Sequence, residues 1–166
     1  SRLGKGSCFS IVVPQARPAV SHASIQPAAP SSLAQKPLED RHIVVVDDDD
    51  TLRLALRERL RDWGAFVSAV SSLDELDELL QRVMSVDLLL TVHRLRDGDG
   101  LLAISMARGL HPHLPAVVIT GDTAAEPLRQ LQDSGVPVLH KPFQSEELLA
   151  TLLASWAQDA GQAKAA

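Results

Sequence analysis

Five short apolar runs alternating with amphipathic segments predict an α/β fold: a five-stranded parallel sheet with five helices on both faces. The runs are Ile43–Val46, Ala65–Val70, Leu88–Val92, Ala116–Ile119 and Val136–Leu139. The first, third and fourth are apolar at nearly every position, which a strand tolerates only when both of its faces are covered. Glycines at 64, 109 and 135 fall where the intervening helices should stop.

The helices follow from spacing. Leu52, Ala55, Leu56, Leu60 and Trp63 recur every three or four residues, as one face of a helix does. Leu73, Leu76, Leu80 and Val83 repeat the pattern, with Ser72 and Glu75 placed as a capping box. A third helix begins at Asp99-Gly100, and Pro127 marks the first turn of a fourth, which leaves Gly121-Asp122-Thr123 as an extended loop. Leu149, Leu152, Leu153 and Trp156 form the last apolar face.

A chain of 166 residues has room for one ordinary domain with residues to spare. At 45% hydrophobic and 22% charged residues it is neither collagen-like nor wholly disordered, and no apolar stretch is long enough to cross a bilayer. No secretory signal opens the sequence. The single cysteine, Cys8, excludes a disulfide within the chain and fits a reducing, cytoplasmic setting. Residues 1–41 hold five basic and two acidic residues, a net +3, while 42–166 hold 11 basic and 19 acidic, a net −8. A domain so acidic repels phosphate backbones, so nucleic acid is not an expected partner. Residues 15–41, with four Pro, six Ala and four Ser in 27 positions, read as a flexible linker. Residues 1–14 have two glycines and a strand-like end, Phe9, Ile11 and Val13, and look like the remnant of another domain. The folded unit is expected over 42–158, with 159–166 a disordered tail.

In such a sheet the functional crevice lies outside the carboxyl ends of the strands. Asp47-Asp48 follow the first strand and Asp49-Asp50 follow them; Thr91-Val92 close the third, Thr120-Gly121-Asp122 the fourth, and His140-Lys141-Pro142-Phe143 the fifth. Adjacent carboxylates make a hard oxygen site suited to Mg²⁺, and a hydroxyl from Thr120 with an ammonium from Lys141 could hold two phosphoryl oxygens. Asp49 and Asp50 read more simply as helix-cap residues. Asp97-Gly98-Asp99-Gly100 reads as a turn and a cap rather than a calcium loop, and His111-x-His113 as an exposed turn rather than a chelate.

These residues, in the order Val44-Val45-Val46-Asp47-Asp48-Asp49, Asp87-Leu88-Leu89-Leu90, Asp99-Gly100-Leu101, Val117-Val118-Ile119-Thr120-Gly121 and Lys141-Pro142-Phe143, resemble a response-regulator receiver domain. The resemblance implies a flavodoxin-like sheet of strand order 2-1-3-4-5. It also implies an acid pair, Asp47 and Asp48, around Mg²⁺ with the backbone carbonyl of Arg94, a switch hydroxyl at Thr120, and Lys141 paired with the phosphoryl group. Gly4-x-Gly6-Ser7-x-Phe9, ending Val13-Pro14, is similar to the last strand of a histidine-kinase ATPase domain. Kinase remnant, linker and receiver in this order resemble a bacterial hybrid histidine kinase, a resemblance compatible with a membrane-anchored parent protein.

The sequence departs from that family at its chemical centre. The family's phosphoacceptor aspartate closes the third strand, five residues after the Asp of the Asp-Leu-x-Leu run; here the position is Val92. The aromatic switch residue, three before the lysine, is Val138. The expectation is a receiver that is not an enzyme, takes no phosphate at the usual site, binds Mg²⁺ weakly, and works through contacts with a histidine-kinase dimerisation domain, a phosphotransfer domain or its own kinase core, with no direct membrane contact. Two alternatives stay open: an ordinary phosphoaccepting receiver with a deliberate Val92 replacement, and a haloacid-dehalogenase-like phosphatase using Asp47 and Asp49.

Overall fold

The structure is a computed structural model that describes residues 36–162. The kinase-like segment at 1–14 and most of the linker lie outside the described residues. The elements run β1 (His42–Val46), α1 (Asp50–Asp62), β2 (Phe66–Val70), α2 (Leu73–Leu80), β3 (Leu88–Val92), β4 (Arg94–Leu95), β5 (Gly98–Asp99), α3 (Gly100–Leu110), β6 (Ala116–Thr120), α4 (Ala125–Asp133), β7 (Val138–His140) and α5 (Ser145–Gln162). Five strands form one parallel sheet in the order β2-β1-β3-β6-β7, and β4 and β5 pair as a small antiparallel ribbon.

Burial explains the apolar runs. Every residue of β3 and β6 is buried, and β1 is buried from Ile43 to Val46, whereas the edge strand β2 exposes Phe66. The chain steps one way from β1 to β2 and the other way from β1 through β3, β6 and β7. Right-handed crossovers therefore put helices on opposite faces. On one, α2 packs against α3; on the other, α1 and α5 meet along a groove lined by Leu52, Leu56, Phe143 and Leu148.

The caps fall where the side chains predict. Asp49 Oδ1 accepts from the N–H groups of Thr51 and Leu52 at the start of α1, at 2.9 and 3.2 Å. At α2 the capping box closes: Ser72 Oγ accepts from Glu75 N, and Glu75 Oε2 accepts from Ser71 N. Asp99 Oδ1 accepts from Leu102 N at the start of α3. Pro127 is the third residue of α4, inside its first turn, where a missing N–H costs nothing. Gly64 ends α1 with φ +96°, a conformation that disfavours any side chain.

Three boundaries move. The helix α2 stops at Leu80, so Val83 is not on its apolar face. The backbone of α5 continues to Gln162, four residues into the segment expected as a tail. The linker ends earlier than its composition implies: Leu38, with no exposed surface, belongs to the core, and its N–H donates to Trp63 O at 3.0 Å. A lone leucine among Pro, Glu and Asp has no periodicity to betray it; Gly64 supplies the space, since a Cβ there would lie 2.8 Å from Lys36 Cβ. Arg41 then lays its guanidinium 5.3 Å from the centre of the Trp156 ring and pairs with Asp87 at 3.2 Å, tying the segment to α5 and the start of β3.

Because Leu38 is a full core residue, Leu38→Ala should lower the unfolding free energy by about 2–4 kcal/mol in urea titrations, whereas Lys36→Ala should stay within about 0.5 kcal/mol of the parent. A Leu38→Ala effect as small as that of Lys36→Ala would return residues 36–41 to the linker.

Candidate functional site

The strand pairings bring three strand ends together. β1 lies beside β3 with Val46 opposite Thr91, and β3 lies beside β6 with Val92 opposite Ile119. The carboxyl ends of β1, β3 and β6 thus share one edge, at the point where the strand order reverses. β7 joins them as Lys141 N donates to Thr120 O at 2.8 Å.

Asp47 is buried, 1% exposed. Its Oδ1 accepts from Asp49 N at 2.9 Å, while its Oδ2 is buried without a hydrogen-bond partner. Burial pushes its carboxyl above the usual aspartate range, opposed by the Asp49 hydrogen bond and the Lys141 charge. Asp48 is half-buried and turns away to Arg96, whose Nε donates to Asp48 Oδ2 at 3.2 Å. Arg53 Nη1 donates to Asp47 O at 2.6 Å and holds the turn. Thr120 is buried, and its hydroxyl oxygen accepts from Asp122 N at 3.0 Å. Lys141 is exposed.

Val92 sits between these groups, 5% exposed, with Thr120 and Lys141 across a cavity of about 210 Å³. Its backbone is hemmed in: a Cβ at Gly100 would lie 2.4 Å from Val92 O, which accounts for a glycine at the start of α3. Asp87, at the opposite end of β3, accepts from His42 N at 2.8 Å and cannot serve the site.

Three further residues enter the site that sequence reasoning did not single out in this role. Asp122 Oδ2 accepts from His93 Nδ1 and from Arg94 Nε, each at 2.9 Å. This knot ties the residues after β3 to the loop after β6, through His93, itself 8% exposed. The His93 and Arg94 bonds hold the Asp122 carboxyl below the usual range. Arg94 thus contributes its side chain here, beyond the backbone carbonyl implied by resemblance. The readable signal was position alone: polar residues directly after two buried neighbouring strands share a crevice.

For Mg²⁺ the donor set is half present. The orphaned Oδ2 of Asp47 is an atom a cation would satisfy. Against it, Asp48 is engaged by Arg96, Val92 offers no oxygen, and among the described residues no three His, Cys, Asp or Glu side chains converge as a metal-binding group. A hard divalent ion needs several oxygens, so these side chains do not fit the family's metal.

The model of the response regulator receiver domain matches residues 43–153. The chain belongs to this family. The receiver is 32% identical over 112 residues to the transcriptional regulatory protein ZraR of Escherichia coli O157:H7, covering 66% of this chain and 25% of that one. It is 31% identical over 119 residues to ZraR of Klebsiella oxytoca, with 69% and 26% covered. It therefore spans about a quarter of the length of the curated relatives it matches. A receiver protein from Sinorhizobium medicae WSM419 superposes with a TM-score of 0.65 at 30% identity, over 74% of this chain and 98% of that one. NtrX of Brucella abortus, solved with ATP, has the same TM-score at 23% identity over 75% and 28%, a likeness of fold alone. The expected strand order of the receiver fold is the observed one. Among the described residues no helix is long and apolar enough to cross a membrane.

Asp47 and Asp122 should respond to pH with opposite signs. In metal-free buffer, Asp47→Asn should stabilise the receiver at pH 7 and change little near pH 3. A carboxyl whose pKa is raised by folding weakens the fold as pH climbs past its ordinary value, 3.8. Asp122→Asn should destabilise at pH 7, and the difference should fade as pH falls below 3.8, where the parent loses what its ionised carboxylate contributes. Denaturant unfolding at both pH values reads the two signs; equal signs would overturn this account of the site.

Proposed function

We propose that this receiver takes no phosphoryl group at the family's acceptor position and signals through protein contact, as the receiver module of a hybrid histidine kinase in a two-component phosphorelay. The observation that carries this reading is Val92, buried at the end of β3 where Thr120 and Lys141 face it. Phosphoryl transfer needs a nucleophilic oxygen in line with the donor phosphorus, beside a neutralising charge. An isopropyl group has no such oxygen, and Asp47, Asp48, Thr120 and Lys141 supply only surroundings. The chain is accordingly read as a non-enzyme. A deliberate replacement at Val92 would leave the same chemistry. The phosphatase alternative loses support from Asp49, whose carboxylate is spent on capping α1.

The kinase context rests on the Gly4-x-Gly6-Ser7 segment and the linker, and with it the cytoplasmic setting. The transcriptional role named for ZraR is not carried over, since the match covers a quarter of that protein. The partners this reading favours are a kinase dimerisation domain, from its own core or another, or a phosphotransfer domain. Both present helices, and the groove of Leu52, Leu56, Phe143 and Leu148 is apolar and open beside the strand ends.

Acetyl phosphate with Mg²⁺, followed by intact mass, should add nothing to this chain and a labile acyl phosphate to Val92→Asp. Stoichiometric phosphate on the parent would mean that Asp47, Asp48 or a loop aspartate accepts it. Titration with the kinase dimerisation domain should shift the amides of Leu52, Leu56 and Leu148 first; no shift at millimolar partner would count against docking.

A further inference from the structure

We propose that the open edge of β2 takes an extended acidic segment of a partner protein as an added strand, joined through the backbone of Val67 and Ala69 and read by Arg57.

β2 stands at the end of the sheet order, so only one of its sides is paired. Phe66 N donates to Arg41 O at 2.8 Å, and Val70 O accepts from Asp47 N at 3.1 Å. Phe66, Ser68 and Val70 therefore turn their backbone groups toward β1. Val67 and Ala69, between them, turn theirs outward. Their two N–H and two C=O groups meet no strand among the described residues. An edge of this kind is a template for a further strand.

Side chains make the edge selective. Val67 and Ala69 lie on the α1 side of the strand, where Ala69 shares a recess with Asp50, Arg53, Leu54 and Arg57. Arg53 is committed, to the Asp50 carboxylate and to Asp47 O. Arg57 is not. Among the described residues its guanidinium enters no ion pair, and its Nε is buried without a hydrogen-bond partner. A buried donor left unmade is costly, and a carboxylate brought alongside would answer it with a charge-assisted bond. Arg61, four residues on along the same side of α1, continues the positive row. The acids nearest in the helix, Glu58 and Asp62, are exposed, and Asp62 faces Arg59 at 4.0 Å.

The opposite face of the strand has a different character. Phe66 is 65% exposed there, and Ser68 Oγ is engaged by His42 Nε2 at 2.9 Å. An added strand would set acids toward Arg57 and apolar residues toward Phe66, the alternation that a strand supplies. A second copy of the chain does not suit this edge. Antiparallel pairing of two β2 strands would put both α1 helices on one face and set Arg53, Arg57 and Arg61 against a like row. The apolar groove of Leu52, Leu56, Phe143 and Leu148 shares no residue with this recess, so the two surfaces are separate.

The test is an amide-shift titration of the parent chain with a blocked heptapeptide in which valine and glutamate alternate. Saturable shifts are expected, largest at Val67 and Ala69, with slowed hydrogen exchange at those two amides. A peptide with lysine for glutamate should not saturate. Arg57→Met should weaken binding about fivefold or more, the loss of a charge-assisted contact. Ala69→Pro removes an outward N–H and leaves the β1 ladder intact, so it should abolish binding. Methylating the peptide's central backbone nitrogens makes the same deletion on the ligand, and should abolish binding with the parent fold untouched. No saturation, equal affinity for the lysine peptide, unchanged affinity in Arg57→Met, or undiminished binding of the methylated peptide would each overturn the proposal. Shifts of Val67 and Ala69 on concentrating the chain alone would assign the edge to a second copy and overturn it as well. None of these outcomes depends on whether the chain accepts phosphate.

Discussion

The pairing of β3 with β1 on one side and β6 on the other is the constraint on which the site depends. With Val46 opposite Thr91 and Val92 opposite Ile119, one register places Asp47, Val92 and Thr120 at a common edge. Slipping any strand by one residue would turn its side chains to the other face and bury the wrong set. Because both faces of β1, β3 and β6 are covered, their register is held by nearly every side chain they carry. The chemistry at their ends therefore inherits its geometry from apolar packing, and a change such as aspartate to valine at one strand end can alter function without unmaking the sheet. Valine is at home in a strand, and an apolar side chain there adds no like charge beside Asp47 and Asp48.

The crevice divides into two electrostatic compartments. On one side Asp47 is buried with an unpartnered oxygen, and Asp48 turns outward to Arg96. On the other, His93, Arg94 and Asp122 close on one another and Lys141 stands over the cavity. In a site built for metal-assisted phosphoryl transfer a single carboxylate would belong to both sides. Val92 lines the second compartment and brings no charge to either. Arg96 is largely solvent-exposed and its pair with half-buried Asp48 contributes little to stability, so its consequence is orientation: it engages the Asp48 Oδ2 oxygen.

Most of the fold was legible because its signals are local and repeated. Continuous apolar runs reported buried parallel strands, the three-and-four spacing reported helices, and Asp49, Ser72 and Asp99 reported caps that the backbone uses. What escaped was non-local or solitary. Leu38 is one leucine in a Pro- and acid-rich stretch, buried only because Trp63 and the space over Gly64 receive it. The end of α2 was overrun because Val83 continues the spacing after the helix has stopped.

The candidate site shows the same division between what spacing reports and what only topology reports. Asp47, Thr120 and Lys141 were readable as strand-end residues, and Val92 as the odd member among them. The knot of His93, Arg94 and Asp122 was not, since its partners lie 28 and 29 residues apart and meet only because β3 and β6 are neighbours. Once that adjacency is known, the knot bears directly on what Val92 means. Phosphorylation in a receiver would join the end of β3 to the hydroxyl after β6 through a phosphoryl group; here Asp122 Oδ2, accepting from His93 and Arg94, already joins the same two segments. The end of β3 and the loop after β6 are thus tied by their own side chains, independently of any group held between Val92 and Thr120.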